Sequence, residues 1–458
     1  MFYKQFILDN GIKTVYVSKR DLNISCINVL FKVGAKNESK EHLGISHVLE
    51  HMILKGTKKY GTNQEITSQI EALGGYFNAH TTRDTTFYII KINTKYVQKA
   101  IDILSDILLH SLFRKKDLEY EKNVVIEELM GGLDNPDGIA YKEFSKSIFK
   151  GVPLQQDPIG TIDTIRAITR SSLINYMKKF YTSDNMHITI SSNLSFKRIQ
   201  HMIRNSAFKT FAPTDLKKNM PFSYIPNDQA TVQVVYKSIE QEKMYIGFPI
   251  CSATHEDRYI IDLIAAILTG GMSSRLFIAL RETNPLVYYV KAQTEYYQDM
   301  GIFYIKTAAK LENILDVDTS PLSHAGSFIQ SLFGKQQQHH RKGNKGIISI
   351  ILDHIRKLKI NTLTKPELNA AKQYIIGAGL LNSEESKTVV EYYKEESVYN
   401  YDNIKSIQQL SNIYEKIKAS DIVRVCNTYF SKDKMFVTIL GQSSEARVCQ
   451  CVEEYMDF

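Results

Sequence analysis

The residues best suited to chemistry are two histidines and a glutamate in the segment His47-Val48-Leu49-Glu50-His51. On a helix, residues four positions apart lie on one face, so His47 and His51 can direct two imidazoles at one metal ion. Glu50, three positions after His47, shares that face. Zinc lowers the pKa of water towards neutrality, and a nearby carboxylate can then take its proton. The spacing therefore predicts a hydrolytic site with one Zn2+ per subunit and Glu50 as its base.

The helix that carries these residues is predicted to be buried on its other side. The apolar residues that flank the histidines are Val48, Leu49, Met52 and Ile53. An apolar surround strengthens electrostatic interactions at a site. Two histidines do not hold zinc alone, because a catalytic zinc site usually has three protein ligands and an open fourth position. The motif itself does not say which residue is the third ligand.

The segment His47–Thr57 resembles the active helix of the pitrilysin and insulin-degrading enzyme family of inverted-motif zinc peptidases. It is most similar to short members such as the β-subunit of the mitochondrial processing peptidase. The resemblance implies that the third ligand is the glutamate that follows His51 after 76 intervening residues, which is Glu128. It also implies that Glu121, two helical turns earlier on the same face, fixes the geometry of the ligands. Glu127 is the rival third ligand.

The hairpin Gly74–Tyr88 also resembles the family. The resemblance implies that its edge strand binds the substrate, with Asn78, Ala79 and Thr81 as the substrate-binding residues. Strand addition gives affinity through main-chain hydrogen bonds and makes little demand on the substrate sequence. A purely structural hairpin is the alternative.

In the second half of the chain, Arg281 and Tyr288 stand seven positions apart, as an Arg–Tyr pair does in the family. The resemblance implies that the two residues bind substrate and help to stabilise the oxyanion. The turn Asn284-Pro285 departs from the Gly-rich turn that is usual there. An ordinary charge on a helix surface is the alternative for Arg281.

The pattern of strands, hairpins and helices predicts an α+β fold with two homologous domains, each an antiparallel-rich sheet packed with helices. The order of helix, turn and hairpin in residues 47–92 recurs in residues 257–308. In the second of these segments, the hairpin strands are predicted at 286–294 and 301–308. The resemblance implies that the two domains form half of a clam-shell peptidase chamber.

The domain limits follow from breaks in the pattern. We expect a catalytic zinc-binding domain at residues 1–210, a Pro-containing linker at 211–228 and a homologous second domain at 229–458. Residues 316–345 are polar and low in complexity, and we expect them to form a mobile insertion in the second domain.

Composition and charge exclude several classes of protein. A hydrophobic content of 43% and a charged content of 23% are typical of a folded soluble chain. Because no long apolar run and no signal or transit peptide is seen, we expect an intracellular, soluble protein without membrane contact. The five scattered cysteines fit reduced thiols. The net charge of +8 comes from dispersed lysines, so no nucleic-acid partner is expected.

Three functions are compatible with these features. The first is a zinc metalloendopeptidase that hydrolyses peptide bonds in peptides or unfolded protein segments. The second is a catalytically inactive family member that acts as a binding or structural subunit, although such members typically lose motif residues. The third is a zinc enzyme for another bond. Besides the substrate, the expected partner is a second subunit in a homodimer, or a related chain in a heterodimer.

Overall fold

The computed structural model describes residues 2–214, 230–316, 345–360 and 362–456, and its strands form two sheets. The strands of the first sheet are β1 (Tyr3–Ile7), β2 (Lys13–Ser18), β3 (Ile24–Phe31), β4 (Tyr76–Thr81), β5 (Thr86–Asn93) and β6 (Met186–Ser192). Those of the second are β7 (Thr231–Tyr236), β8 (Glu242–Ile250), β9 (Val290–Tyr296), β10 (Gly301–Ala309) and β11 (Phe436–Gly441). The predicted linker and insertion lie mostly outside the described residues, so both stay predictions, as do the domain limits.

The helices of the first half are α1 (Ile45–Ile53), α2 (Asn63–Glu71), α3 (Val97–His110), α4 (Lys115–Asp134), α5 (Pro136–Ile148), α6 (Ile162–Ala167), α7 (Arg170–Phe180) and α8 (Phe196–Asn205). Those of the second half are α9 (Asp257–Thr269), α10 (Arg275–Phe277), α11 (Leu311–Ile314), α12 (Ile347–Lys359), α13 (Lys365–Asn382), α14 (Ser386–Tyr399), α15 (Ile407–Lys416), α16 (Ala419–Tyr429) and α17 (Glu445–Met456). Helix α10 continues as a π-helix over Ile278–Thr283. Among the described helices, none is long and apolar enough to cross a membrane.

The two sheets repeat one topology. Their strand orders are β1-β2-β6-β3-β5-β4 and β7-β11-β8-β10-β9. Without β1, the five positions correspond one to one, and in each sheet the first pair is parallel while the others are antiparallel. This topology confirms the predicted α+β fold of two similar domains.

One predicted strand of the second domain was placed too early. The strand expected at 286–294 begins at Val290. The backbone N–H groups of Leu286 and Val287 both donate to the carbonyl of Leu280, at 3.0 and 3.3 Å, so this segment closes the preceding helix instead of entering the sheet. Tyr288 therefore lies before β9.

Each sheet has its own apolar core, and the two halves of the chain also exchange a helix. Helix α5, from the first half, packs on β8 and β11 of the second sheet, where Phe144 is fully buried. Helix α14, from the second half, packs on β2, β3 and β6 of the first sheet, where Tyr393 is fully buried. Burying a side chain of this size contributes about 1.5–3 kcal/mol, so the exchange ties the two sheets together. The sequence pattern did not predict this exchange.

Candidate active site

Helix α1 is fixed at its first turn. It begins after Gly44, whose φ of 89° lies in the left-handed region. A Cβ at Gly44 would meet the carbonyl oxygen of Ile159 at 2.8 Å, so a side chain does not fit there. The carboxylate of Glu38 accepts hydrogen bonds from the N–H groups of Gly44 and Ser46, at 2.6 and 2.8 Å. These bonds satisfy N–H groups that the first turn of a helix leaves free.

The buried side of α1 is the predicted apolar stripe. Val48, Leu49, Met52 and Ile53 are all fully buried in the core of the first sheet. The 3.6-residue period of the helix turns His47, Glu50 and His51 to the other side. Burial of one stripe thus fixes where the polar residues of the motif point.

The three predicted metal ligands converge on one point. One ligand atom each from His47, His51 and Glu128 lies within 4.8 Å of the other two. Oε2 of Glu128 lies 3.7 Å from Nε2 of His47 and 3.8 Å from Nε2 of His51. Glu127 is not part of this group, which is the sole cluster of its kind among the described residues. Two imidazole nitrogens and a carboxylate oxygen are the donors of a catalytic zinc site, so the residues present fit this ion.

Glu121 lies behind His51, on the side of Nδ1. Its Oε2 is 3.0 Å from Nδ1 of His51, and its Oε1 is 2.6 Å from Nζ of Lys55. A carboxylate at Nδ1 keeps the proton on that nitrogen and leaves the lone pair of Nε2 free for a metal. Burial acts to raise the pKa of Glu121, but His51 and Lys55 outweigh burial and lower this pKa.

The two histidines differ in their proton affinity. Burial lowers the pKa of His47 to about 4, and the nearby His51 and His80 add to the effect. His47 is therefore neutral at physiological pH, which is the form that binds a metal. Burial also disfavours charge on His51, but the hydrogen bond to Glu121 and the carboxylate of Glu50 outweigh it and raise the pKa of His51.

Glu50 is the nearly buried carboxylate on the same face of α1. It is 8% exposed, and its Oε2 accepts a hydrogen bond of 2.6 Å from the hydroxyl of Thr81. Burial raises the pKa of Glu50, and the bond from Thr81 offsets only part of the rise. A carboxylate with raised proton affinity is suited to act as a general base.

Strand β4, which carries the predicted substrate-binding residues, lies at the edge of the first sheet and pairs with β5. Its other edge has no partner strand in the described part of the chain. The side chain of Asn78 is exposed and that of Ala79 is half-buried, whereas Thr81 is buried against Glu50. Thr81 thus links the free edge to Glu50.

Arg281 and Tyr288 are brought together, in the second half of the chain. The guanidinium of Arg281 lies 5.4 Å from the ring centre of Tyr288 and 4.9 Å from that of Phe277. Both members of the pair are exposed, and 76% of Tyr288 is accessible. These contacts stay within their own domain, and neither residue joins the cluster around Glu128.

Two residues of the site were not predicted from the sequence. Lys55, which pairs with Glu121, lies two positions beyond the end of α1 at Ile53, so helical spacing does not place it. Glu38, which holds the start of α1, gave no periodic signal either, because it lies in an irregular segment between β3 and α1.

Comparisons with known proteins show what the whole chain is similar to. Residues 13–161 match the family model described as Insulinase (Peptidase family M16), and residues 167–375 match Peptidase M16 inactive domain. An uncharacterized zinc protease of Rickettsia felis is 31% identical over 299 residues, which are 65% of this chain and 71% of the relative. An uncharacterized zinc protease of Bacillus subtilis is 27% identical over 88% of this chain and 94% of its own length.

A solved structure shows the same fold over nearly the whole chain. It is a protease from Helicobacter pylori, with a TM-score of 0.80 and 23% identity, and the match covers 96% of this chain and 100% of that one. The metal-capable cluster lies in the half that matches the insulinase model, and the half that matches the inactive-domain model has none in its described residues. On the matched segments and on the identity to the rickettsial relative, the chain belongs to the peptidase M16 (insulinase) family.

Proposed function

We propose that this chain is a zinc metalloendopeptidase that hydrolyses peptide bonds in peptides or unfolded protein segments. The observation that carries the proposal is the convergence of His47, His51 and Glu128 within 4.8 Å, beside a buried carboxylate on the same helix. The family relationship supports the peptidase class, and the intact motif favours activity over the binding-subunit alternative.

Each residue of the site has a chemical role in this proposal. His47, His51 and Glu128 would hold the zinc ion, which supplies a Lewis acid that makes water acidic enough to lose a proton to a carboxylate. Glu50 accepts that proton and passes it to the departing amine. Thr81 fixes the orientation of Glu50 by the 2.6 Å hydrogen bond to its carboxylate.

The free edge of β4 would supply affinity for the substrate. An extended peptide that adds to this edge is held through its backbone, so side chains at many positions are accepted. Since a folded protein seldom offers an unpaired strand, short or unfolded substrates suit this edge best. Asn78 and Ala79 belong to the part of the edge that is not fully buried.

Metal analysis and a peptide-library digest of three purified proteins test the proposal. The parent should hold one zinc per chain and cleave peptides. Glu50→Gln should keep the metal and lose turnover, because it removes the base but no ligand. His47→Ala should lose both. Zinc loss in Glu50→Gln as large as in His47→Ala would refute the role of Glu50, and a parent that binds zinc but cleaves nothing would favour the inactive-subunit alternative.

We propose further that Arg281 and Tyr288 complete the site of a second subunit. In support, the two side chains are exposed and contact each other rather than the zinc cluster of their own chain. A homodimer is the simplest closed arrangement, and a related partner chain would serve equally.

Mixing two inactive variants tests the shared site. Glu50→Gln removes the carboxylate of Glu50, and Arg281→Ala removes the guanidinium of Arg281. A mixed dimer therefore contains one site in which both groups are intact. Activity should therefore reappear when the two proteins exchange subunits, which a tag on one of them can verify. Exchange without recovered activity would show that Arg281 works within its own chain or not at all.

A further inference from the structure

The end of α4, the helix that carries Glu128, is not packed within its own domain. After the buried Leu129, every residue from Met130 to Asp134 is exposed. Two of them, Gly131 and Gly132, are weak helix formers, and a Cβ added at either would meet nothing within 4 Å. Glu128 itself has 53% of its side chain exposed, against 14% for His47. Within its own domain, α4 is held by Val125 and Leu129, and Glu128 lies where this packing ends.

The connection from α4 to the next helix is a short, hydrogen-bonded joint. Only Asn135 separates α4 from α5. Its N–H donates to the carbonyl of Gly132 at 3.3 Å, and its side-chain oxygen accepts from the N–H of Asp137 at 3.0 Å. Its carbonyl accepts from Ile139 at 3.0 Å. Because both helices make hydrogen bonds with Asn135, a shift of α5 would also move the end of α4.

Helix α5 is anchored on the second sheet, not on the first. Its buried face, Ala140, Phe144 and Ile148, packs in a cluster with residues of the second sheet such as Tyr245. The rings of Phe144 and Tyr245 are stacked with centres 5.3 Å apart. The position of the joint is therefore set by the second domain.

Two carboxylates supply polar contacts to this anchor. Asp137, on α5, lies 3.0 Å from Nζ of Lys243 on β8 and accepts a hydrogen bond of 3.3 Å from the hydroxyl of Tyr289.

The second carboxylate is that of Glu295. Oη of Tyr141, on α5, lies 2.7 and 2.8 Å from the two carboxylate oxygens of Glu295, on β9. Tyr297 and Tyr304 also donate to Glu295, at 2.7 and 3.0 Å. Tyr297 and Tyr304 belong to the second half, so of these three donors Tyr141 alone reaches across from the first half.

We propose that Tyr141 is a positioning residue for Glu128. Its bond to Glu295 acts with the apolar face of α5 and with Asp137 to hold α5 on the second sheet. Through the Asn135 joint, this contact helps to hold the end of α4, so that Glu128 stays over His47 and His51. The inference rests on the proposed zinc site. It means that the second domain, which supplies no ligand to the cluster among its described residues, still contributes to zinc affinity.

Two matched variants test this role by zinc affinity, measured by competition with a chelator. Tyr141→Phe removes the donor on α5, and Tyr304→Phe removes a donor to the same carboxylate within the second domain. Tyr141→Phe should weaken zinc binding by up to about tenfold, the equilibrium effect of losing one hydrogen bond to a charged group. Tyr304→Phe should leave the affinity within about twofold of the parent. The thermal unfolding midpoints of the two metal-free variants should be similar, since each loses one bond to Glu295.

Stiffening the end of α4 gives a second, independent measurement. Replacing Gly131 and Gly132 together by alanine adds helix propensity without a clash. This pair should restore most of the affinity lost in Tyr141→Phe, and in the parent protein it should raise zinc affinity by roughly fivefold. The zinc affinity of the alanine pair in the parent protein tests the inference even if Tyr141→Phe does not fold.

The outcomes separate this inference from the proposed function. A parent protein that binds no zinc would overturn the zinc site and, with it, the role of Tyr141. A parent that binds zinc, together with equal affinities in Tyr141→Phe and Tyr304→Phe, would overturn the role of Tyr141 alone. An unchanged affinity in the alanine pair would do the same.

Discussion

Replacing Glu121 by glutamine tests whether the charge behind His51 sets zinc affinity. The carboxylate of Glu121 is 2% exposed, and it contacts Nδ1 of His51 at 3.0 Å and Nζ of Lys55 at 2.6 Å. Glutamine can still accept the hydrogen bond from Nδ1, so the tautomer of His51 is kept. What glutamine removes is the negative charge, which makes His51 a stronger electron donor and pairs with Lys55.

The size of the effect follows from these contacts. A hydrogen bond to a charged group contributes about 1.5–3 kcal/mol, against about 0.5–1.5 kcal/mol for a neutral pair. Losing the difference, about 1–1.5 kcal/mol, corresponds to a fall of roughly five- to tenfold in the zinc association constant. Loss of a group that orients a metal ligand typically costs 10- to 100-fold, so we expect a fall of about tenfold in Glu121→Gln.

Zinc affinity is measured by competition with a chelator at fixed pH, beside the thermal unfolding of each metal-free protein. Glu127→Gln is the matched control, because Glu127 is exposed on the same helix and lies outside the metal cluster in the described part of the chain. Its affinity should equal that of the parent. If Glu121→Gln bound zinc as tightly as Glu127→Gln, the carboxylate would be a structural partner of Lys55 only, and the argument from His51 would fail.

Three further predictions use other parts of the chain. Glu128→Gln should weaken zinc binding at least 100-fold, because it removes a ligand, and a fall no larger than in Glu127→Gln would exclude Glu128 as that ligand. Deletion of residues 317–344 should leave the rate of peptide hydrolysis nearly unchanged. The two flanking ends already meet, because the side chain of Asp316 accepts a 2.6 Å hydrogen bond from the N–H of Gly346. A large loss of turnover in the folded protein would contradict this prediction. Burial raises the pKa of Asp262 to about 6, so the folded protein holds a proton that the unfolded chain releases, and stability falls as pH rises from about 4 to 6. Asp262→Asn should therefore gain on the order of 2 kcal/mol in unfolding free energy relative to the parent between pH 4 and pH 7, and parallel pH profiles of the two proteins would rule this out.

The motif helix could be predicted from the sequence because its signals are local. The i, i+4 spacing of His47 and His51 and the apolar stripe between them depend on helix geometry alone, and α1 contains the whole motif. The repeat of helix, turn and hairpin likewise follows from periodicity, and the matching sheet orders confirm the fold class. The assignment of Glu128 came from a resemblance, since no local rule connects residues so far apart in the chain.

Features that depend on long-range packing were not predicted. The exchange of α5 and α14 between the sheets leaves no periodic signal, because an amphipathic helix has the same pattern whichever sheet it covers. The hydrogen bond of Thr81 to Glu50 joins an edge strand to a helix 31 positions earlier. The predicted start of β9 was too early because the segment around Leu286 is apolar, as a buried strand would be. These apolar residues instead pack where the segment closes the end of the preceding helix.

The two buried carboxylates of the site have opposite surroundings, which supports their separate roles. Glu50 is contacted by a neutral hydroxyl, so burial dominates and its pKa is raised. Glu121 is contacted by Lys55 and His51, so despite burial its pKa is lowered. Two carboxylates whose pKa values are shifted in opposite directions are suited to different chemical tasks. Glu50 can accept a proton during a reaction, whereas Glu121 keeps its charge and holds His51 in place.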